Sequence, residues 1–198
     1  MALAAPPRTL SRASLETTEL PAATLVRITR HTSGEPHFGR SRAHRFDDPG
    51  RGQKLRFGVC YLGTSLVVAF AESILHDTLL RRGRLRVPID VLRAIHVVRF
   101  EGPPLRLVDL TGASLKRLGA DGALSTELPY AMPQRWSAAL HRHPARVDGL
   151  LYVSRHLNTG LAVALYDRAP PRMTAQVTPF LDYPGALRAI VDFGVELV

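Results

Sequence analysis

Seven short runs of strand-type residues, with too few helical stretches between them to alternate regularly, constrain this chain most. The runs fall at 24–29, 56–63, 94–100, 105–110, 149–153, 161–166 and 173–181 of the 198 residues. They alternate apolar with polar side chains or are rich in β-branched and aromatic ones, the signature of a pleated segment with at least one buried face. Helical patterns are expected at 66–80, with Thr64 or Ser65 as N-cap and Gly83 as stop, and more briefly at 111–118, 134–141 and 184–191. A doubly wound sheet needs a helix after nearly every strand. A mixed α/β architecture of the α+β kind, one central mixed sheet with flanking helices, fits better.

Residues 1–21, rich in Ala, Pro, Ser and Thr, read as a loose lead-in; 22–198 reads as one domain, with 170–198 a closing element. Residues 30–54 are polar and carry Gly34, Pro36, Gly39, Pro49, Gly50 and Gly52. A loop of that length inside a domain is usually functional or disordered. The single cysteine, Cys60, lies in an apolar run and is expected to be a buried, inert thiol. No apolar run approaches the ~18 residues of a membrane-spanning helix, and 1–21 lacks the apolar core of an export signal. The expectation is a cytoplasmic protein that does not contact membranes.

Lys and Arg number 26 against 17 Asp and Glu, a net charge of +9, and lysine occurs only at Lys54 and Lys116. Such a balance suits an anionic ligand, and arginine suits bidentate phosphate binding; a GC-rich genome also produces an arginine excess. No phosphate loop, Gly-rich dinucleotide fingerprint or Gly-x-Ser-x-Gly elbow is present. Nor is any recognised nucleic-acid module, though the charge alone would permit a basic nucleic-acid-binding protein. His141 and His143, two apart, do not share a helix face, so no metal site is expected.

Five features invite a chemical reading. Glu72 stands in an otherwise apolar helical pattern, where a carboxylate is costly without partners; an edge-of-face Glu paired with an Arg would look the same. Arg27 interrupts a strand, where it could equally point to solvent. Arg45 sits beside Phe46 in the long loop, Tyr61 ends the strand leading to Glu72, and Ser154 and Arg155 follow a late strand.

In this order, Arg27, the block Arg45-Phe46-Asp47-Asp48-Pro49, Phe57-Gly58-Val59-Cys60-Tyr61-Leu62-Gly63, Ala69-Phe70-Ala71-Glu72 and Asp148-Gly149-Leu150-Leu151-Tyr152-Val153-Ser154-Arg155 resemble the RES domain, a family named for an Arg, a Glu and a Ser. The resemblance runs from Thr24 to Arg168. Where many members show Gly-Gly-Arg-Trp-Asn, this chain has Ala43-His44-Arg45-Phe46-Asp47. Ser154 matches the late motif, and Ser137, after Trp136, is a second candidate for the family serine.

The resemblance implies a catalytic domain with a core like that of the ADP-ribosyltransferases and a cleft for NAD, taken as substrate without a metal. It implies a toxin of a toxin–antitoxin module that cleaves the nicotinamide–ribose bond, as a phosphorylase using inorganic phosphate or a glycohydrolase using water. ADP-ribosylation of a host-cell protein is the alternative. Breaking that bond builds oxocarbenium character on the ribose, which Glu72 would stabilise. Arg27 and Arg45 would hold the pyrophosphate, Tyr61 would stack on a ring, and Ser154 would bind the ribose or hold Glu72. The implied partner is an Xre-type antitoxin in a hetero-oligomer, covering an entrance lined by 30–54, with no nucleic-acid contact outside that complex.

Overall fold

Alternation along the strands decides the layers. In the computed structural model, which describes residues 3–168 and 173–198, the strand β3 (Val59–Gly63) sends Val59 and Tyr61 into one apolar cluster and Cys60 and Leu62 into another. Its neighbour β9 (Leu161–Tyr166) does the same with Ala162, Ala164 and Tyr166 against Val163 and Leu165. Both faces of the central strands are therefore buried, which explains their nearly continuous apolar sequences.

In chain order the remaining elements are β1 (Thr17–Leu20), β2 (Val26–Thr29), α1 (Leu66–Phe70), β4 (Leu80–Arg81), β5 (Arg84–Val87), α2 (Ile89–Arg93), β6 (His96–Glu101), β7 (Leu105–Leu110), α3 (Gly112–Arg117), α4 (Ala123–Thr126), α5 (Ala131–His141), β8 (Gly149–Val153), β10 (Thr174–Pro179), α6 (Ala186–Asp192) and β11 (Val195–Leu197). Eight strands form one sheet in the order β1-β7-β8-β9-β3-β2-β6-β10, antiparallel except for the β7–β8 pair. A small satellite sheet, β11-β5-β4, has β11 parallel to β5. The architecture is the mixed α/β one expected: a large mixed sheet with flanking helices.

Three apolar clusters hold it together. One packs α3, α4 and α5, through Leu115, Leu124, Trp136 and Leu140, on β7, β8 and β9. Another packs α1, α2 and α6, through Phe70, Leu92 and Ile190, on β2 and β6. The third joins Leu107, Leu151 and Val163 with Val98 and Phe100, which come from distant parts of the strand order.

Several expectations need correction. The helix read over 66–80 is α1 followed by a single π-helical turn, Ala71–Leu75, and Leu80 begins a strand. Its apolar run continues past the point where the helix ends, so periodicity overestimates it. Gly83 stops no helix; with Arg82 it forms the positive-φ turn of the β4–β5 hairpin (φ +51° and +76°), the geometry a tight hairpin demands. The described part of the lead-in, 3–21, is not loose. Leu3 and Leu10 are buried, and β1 pairs with β7 along its whole length. The turn-rich stretch 119–133 contains α4 and the start of α5. Of the closing element 170–198, residues 170–172 lie outside the described residues, and the rest provides β10, α6 and β11.

Candidate active site

The cleft begins where two strands part. β2 and β3 share a single register pair, Val26 with Gly63, and then diverge. Arg27, the next residue of β2, reaches across the opening, and its Nη1 donates to the Tyr61 carbonyl at 3.1 Å, giving that carbonyl the partner the ladder no longer supplies. Arg27 Nε donates to Glu35 Oε1 at 3.1 Å, and Glu35 Oε2 accepts from the His37 amide at 2.8 Å. The remaining terminal nitrogen of Arg27 has no partner among the described residues. Arg27, Arg45, Tyr61 and Glu72 all line the resulting cleft of about 470 Å³.

Glu72 reaches the cleft because α1 is pressed against the end of β3. A Cβ on Gly63 would sit 2.6 Å from the Ala69 nitrogen and 2.9 Å from the Ser65 carbonyl, so only glycine allows this approach. Ser65 caps α1 by accepting from the Val68 amide at 3.2 Å. The π turn then carries Glu72, in keeping with the frequent occurrence of such turns at functional sites. Glu72 Oε1 accepts from Ser154 Oγ at 2.5 Å and from the Arg155 amide at 3.0 Å, with the His156 amide at 3.5 Å. The first distance lies in the range of a charge-assisted hydroxyl–carboxylate bond. Glu72 Oε2 has no hydrogen bond among the described residues, so one oxygen is fixed and the other is left for a ligand.

Ser154 is itself fixed. It is 1% exposed, its Oγ accepts from the amides of His156 (3.2 Å) and Leu157 (3.0 Å), and its own amide donates to the Gly160 carbonyl at 2.9 Å. The alternative serine, Ser137, is not at this carboxylate. It is fully buried, and its Oγ donates to the Phe46 carbonyl at 2.6 Å and lies 3.3 Å from the Tyr166 hydroxyl.

The long loop is built by polar side chains instead of a backbone ladder. Asp47 accepts from the Tyr61 hydroxyl (3.0 Å), Ser41 Oγ (2.9 Å) and the His44 amide (3.2 Å), and the Tyr61 hydroxyl accepts from the Phe46 amide at 2.8 Å. Tyr61 thus spends its hydroxyl on the loop; burial and the Asp47 charge push its ionisation well above the ordinary range. Gln134 on α5 donates to the carbonyls of Arg42 and His44, both at 2.9 Å. Arg45 is 8% exposed; its Nη1 donates to the Glu127 carbonyl at 2.9 Å, and its guanidinium lies 4.7 Å over the Tyr130 ring. Burial pulls its pKa below the usual arginine value, opposed by Tyr130 and Tyr152. It lines the cleft with part of its donor capacity already used, fewer free donors than the sequence suggests.

This geometry can be set beside known proteins. The profile of the RES domain matches residues 24–188. The chain belongs to the RES domain family. It is 30% identical over 120 residues, 59% of this chain and 94% of the relative, to the "Probable toxin y4kH" of Sinorhizobium fredii (strain NBRC 101917 / NGR234). Its fold is similar to a chain of the M. tuberculosis MbcT–MbcA toxin–antitoxin complex, with a TM-score of 0.57 at 16% identity, covering 89% of this chain and 96% of that one.

The RES-domain cleft also contains residues to which the motifs gave no role, although Tyr152 and Arg155 lie inside the late block and His44 beside Arg45. Tyr130 and Tyr152 line it, the latter edge-on to Phe46 at 4.7 Å, and so do Arg155 and four histidines, His37, His44, His76 and His156. Tyr152, Arg155 and His156 share one segment, and the others come from distant parts of the chain; the fold supplies the convergence. They do not make a metal site: among the described residues, no group of three or more His, Cys, Asp or Glu side chains is placed to hold a metal ion. Cys60, fully buried on the opposite face of β3, has its thiol pushed up to about 12 by burial. No helix among the described residues is long and apolar enough to cross a membrane.

Proposed function

We propose that this RES domain is the toxin of a toxin–antitoxin module and that it breaks the nicotinamide–ribose bond of NAD, passing the ADP-ribose to inorganic phosphate or water. The observation that carries the chemistry is Glu72, with one carboxylate oxygen locked by Ser154 and the Arg155 amide and the other open to the cleft. As nicotinamide leaves, positive charge grows on the ribose, and a preorganised carboxylate stabilises it without reorganisation at the moment of reaction. Arg27 and Arg45 supply cations for the pyrophosphate, and the rings of Tyr61, Tyr130 and Tyr152 supply faces for the heterocycles. The volume of about 470 Å³ falls within the usual range for small-molecule sites. No metal is part of this reading.

The toxin role rests on the relative described as a probable toxin and on the fold shared with a chain of a toxin–antitoxin complex. The partner in this reading is an antitoxin of the Xre type. It forms a hetero-oligomer with the toxin and inhibits it by covering the cleft beside residues 30–54 with acidic groups that pair with the same arginines. Glu72→Gln is the direct test. It keeps the shape and removes the charge, so NAD binding by calorimetry should persist while turnover falls about 10³-fold, roughly 4 kcal/mol of transition-state stabilisation. Unchanged turnover would remove Glu72 from the reaction.

A further inference from the structure

When water accepts the ADP-ribose, it must lose a proton as it bonds to the ribose carbon. Glu72 is committed to Ser154 and Arg155 through one oxygen and, in the reading above, to the developing charge through the other. The cleft holds four further groups of suitable chemistry, and their surroundings separate them. His37 and His44 lie on the exposed side of the long loop, His37 against His31 at 4.9 Å and His44 edge-on to Tyr61 at 5.5 Å. His76 is exposed and has both ring nitrogens engaged, Nδ1 with the Ser73 carbonyl at 3.0 Å and Nε2 with Asp77 Oδ2 at 2.8 Å. With both nitrogens so engaged, the ring has none free to face a ligand.

His156 differs from the two loop histidines in burial and from His76 in having free ring nitrogens. It is half-buried in the wall of the cleft, and its ring nitrogens have no hydrogen-bond partner among the described residues. Neither nitrogen is sealed from solvent without a partner, a condition found among the described residues only at His96 Nδ1. Its backbone amide belongs to the turn that holds Glu72, 3.2 Å from Ser154 Oγ and 3.5 Å from Glu72 Oε1. The carboxylate and this imidazole are therefore fixed by one piece of backbone.

We propose that His156 is the general base for the water reaction of this RES domain, an assignment that rests on the NAD-cleaving function proposed above. The bond between the ribose carbon and the nicotinamide nitrogen breaks with its electron pair going to nicotinamide, which leaves neutral. The water oxygen bonds to the ribose carbon, one water proton passes to a free ring nitrogen of His156, and the other stays on the product hydroxyl. His156 then releases its proton to solvent.

The electrostatic setting biases this imidazole toward its unprotonated form. Burial lowers its pKa; Glu72 on the π turn opposes that, while Arg155 beside it, His76 across from it at 6.2 Å and Arg45 from the long loop add to it. A phosphate dianion attacks through an oxygen that is already ionised, so it needs no base. The two acceptors should therefore respond differently to loss of the ring.

The test compares the full-length wild type with His156→Gln in NAD cleavage with and without inorganic phosphate, separating products by mass across pH 5 to 9 (roughly the window in which an imidazole titrates). The expected result is a fall of about 10²-fold or more in the water reaction, through kcat with KM unchanged, and a phosphate reaction within about twofold of wild type. The acid limb of the wild-type water reaction should also vanish in the variant. Equal losses with both acceptors, an unchanged water rate, or a retained acid limb would overturn the assignment. A wild type that cleaves NAD only with phosphate would overturn it too, while leaving the NAD activity standing. A wild type that leaves NAD intact would sink the activity and the assignment together.

Discussion

Replacing Ser154 with alanine separates the residue that positions the carboxylate from the carboxylate itself. The substitution removes a 2.5 Å hydroxyl donor from Glu72 Oε1 and leaves the Arg155 amide at 3.0 Å. It also takes the acceptor from the His156 and Leu157 amides, while the bonds from the Ser154 amide to Gly160 and from the Gly160 amide to Leu157 still close the turn. A hydrogen bond to a charged group contributes about 1.5–3 kcal/mol. If most of that free energy aligns Glu72, turnover falls about 10- to 100-fold, less than for loss of the charge, because the amides of Arg155 and His156 still donate to the carboxylate. NAD consumption should show the deficit in kcat with KM nearly constant. The unpartnered amides should lower Tm by several degrees, at about 2–4 °C per kcal/mol for a chain of this size. Wild-type kcat in Ser154→Ala would refute the view that this hydroxyl orders the carboxylate.

Three further outcomes follow from the same structure. Gly63→Ala would place a Cβ 2.6 Å from a backbone nitrogen that cannot yield locally, so chemical denaturation should show a loss of about 1–3 kcal/mol. Ser137→Ala deprives the Phe46 carbonyl of its 2.6 Å donor in a fully buried place, and should cost about 1–3 kcal/mol in denaturation while turnover at low temperature stays within a few-fold of wild type. His141 stacks on Phe57 at 4.0 Å, and burial, reinforced by Arg168, lowers its pKa to about 4. Between about 6.5, the unfolded value, and that folded value, the unfolded chain binds the extra proton. This contribution is intact above about pH 6.5 and is lost as pH falls toward 4. Discounted for partial exposure, the loss is about 1 kcal/mol, and His141→Gln should flatten it in pH-dependent melts.

The sequence makes the central strands legible because their residues must satisfy two buried faces, and β3, β7, β8 and β9 lie where their apolar runs place them. It hides what depends on packing. β1 is an edge strand, anchored with help from Leu3 and Leu10, in a segment whose Ala and Pro content suggests no structure. The β4–β5 hairpin is masked because Leu79 and Leu80 extend the apolar run of α1, although both side chains are exposed. Glu72 stands out as a carboxylate among apolar neighbours, and Ser154 by its place after a strand; their bond, across 82 positions, is a product of topology. Tyr130, His37, His76 and His156 carry no local pattern. They meet Glu72 because β2, β3, β9 and β8 are neighbours in the sheet and α5 anchors the loop through Gln134 and Ser137.

The proposed reaction is tested by what the purified protein does to NAD. Incubated with NAD alone and with NAD plus inorganic phosphate, and analysed by mass, it should release nicotinamide and yield ADP-ribose in the first case and a phosphorylated ADP-ribose in the second, with both rates down about 10³-fold in Glu72→Gln. NAD recovered intact under both conditions, or the same products at the same rate from Glu72→Gln, would contradict it.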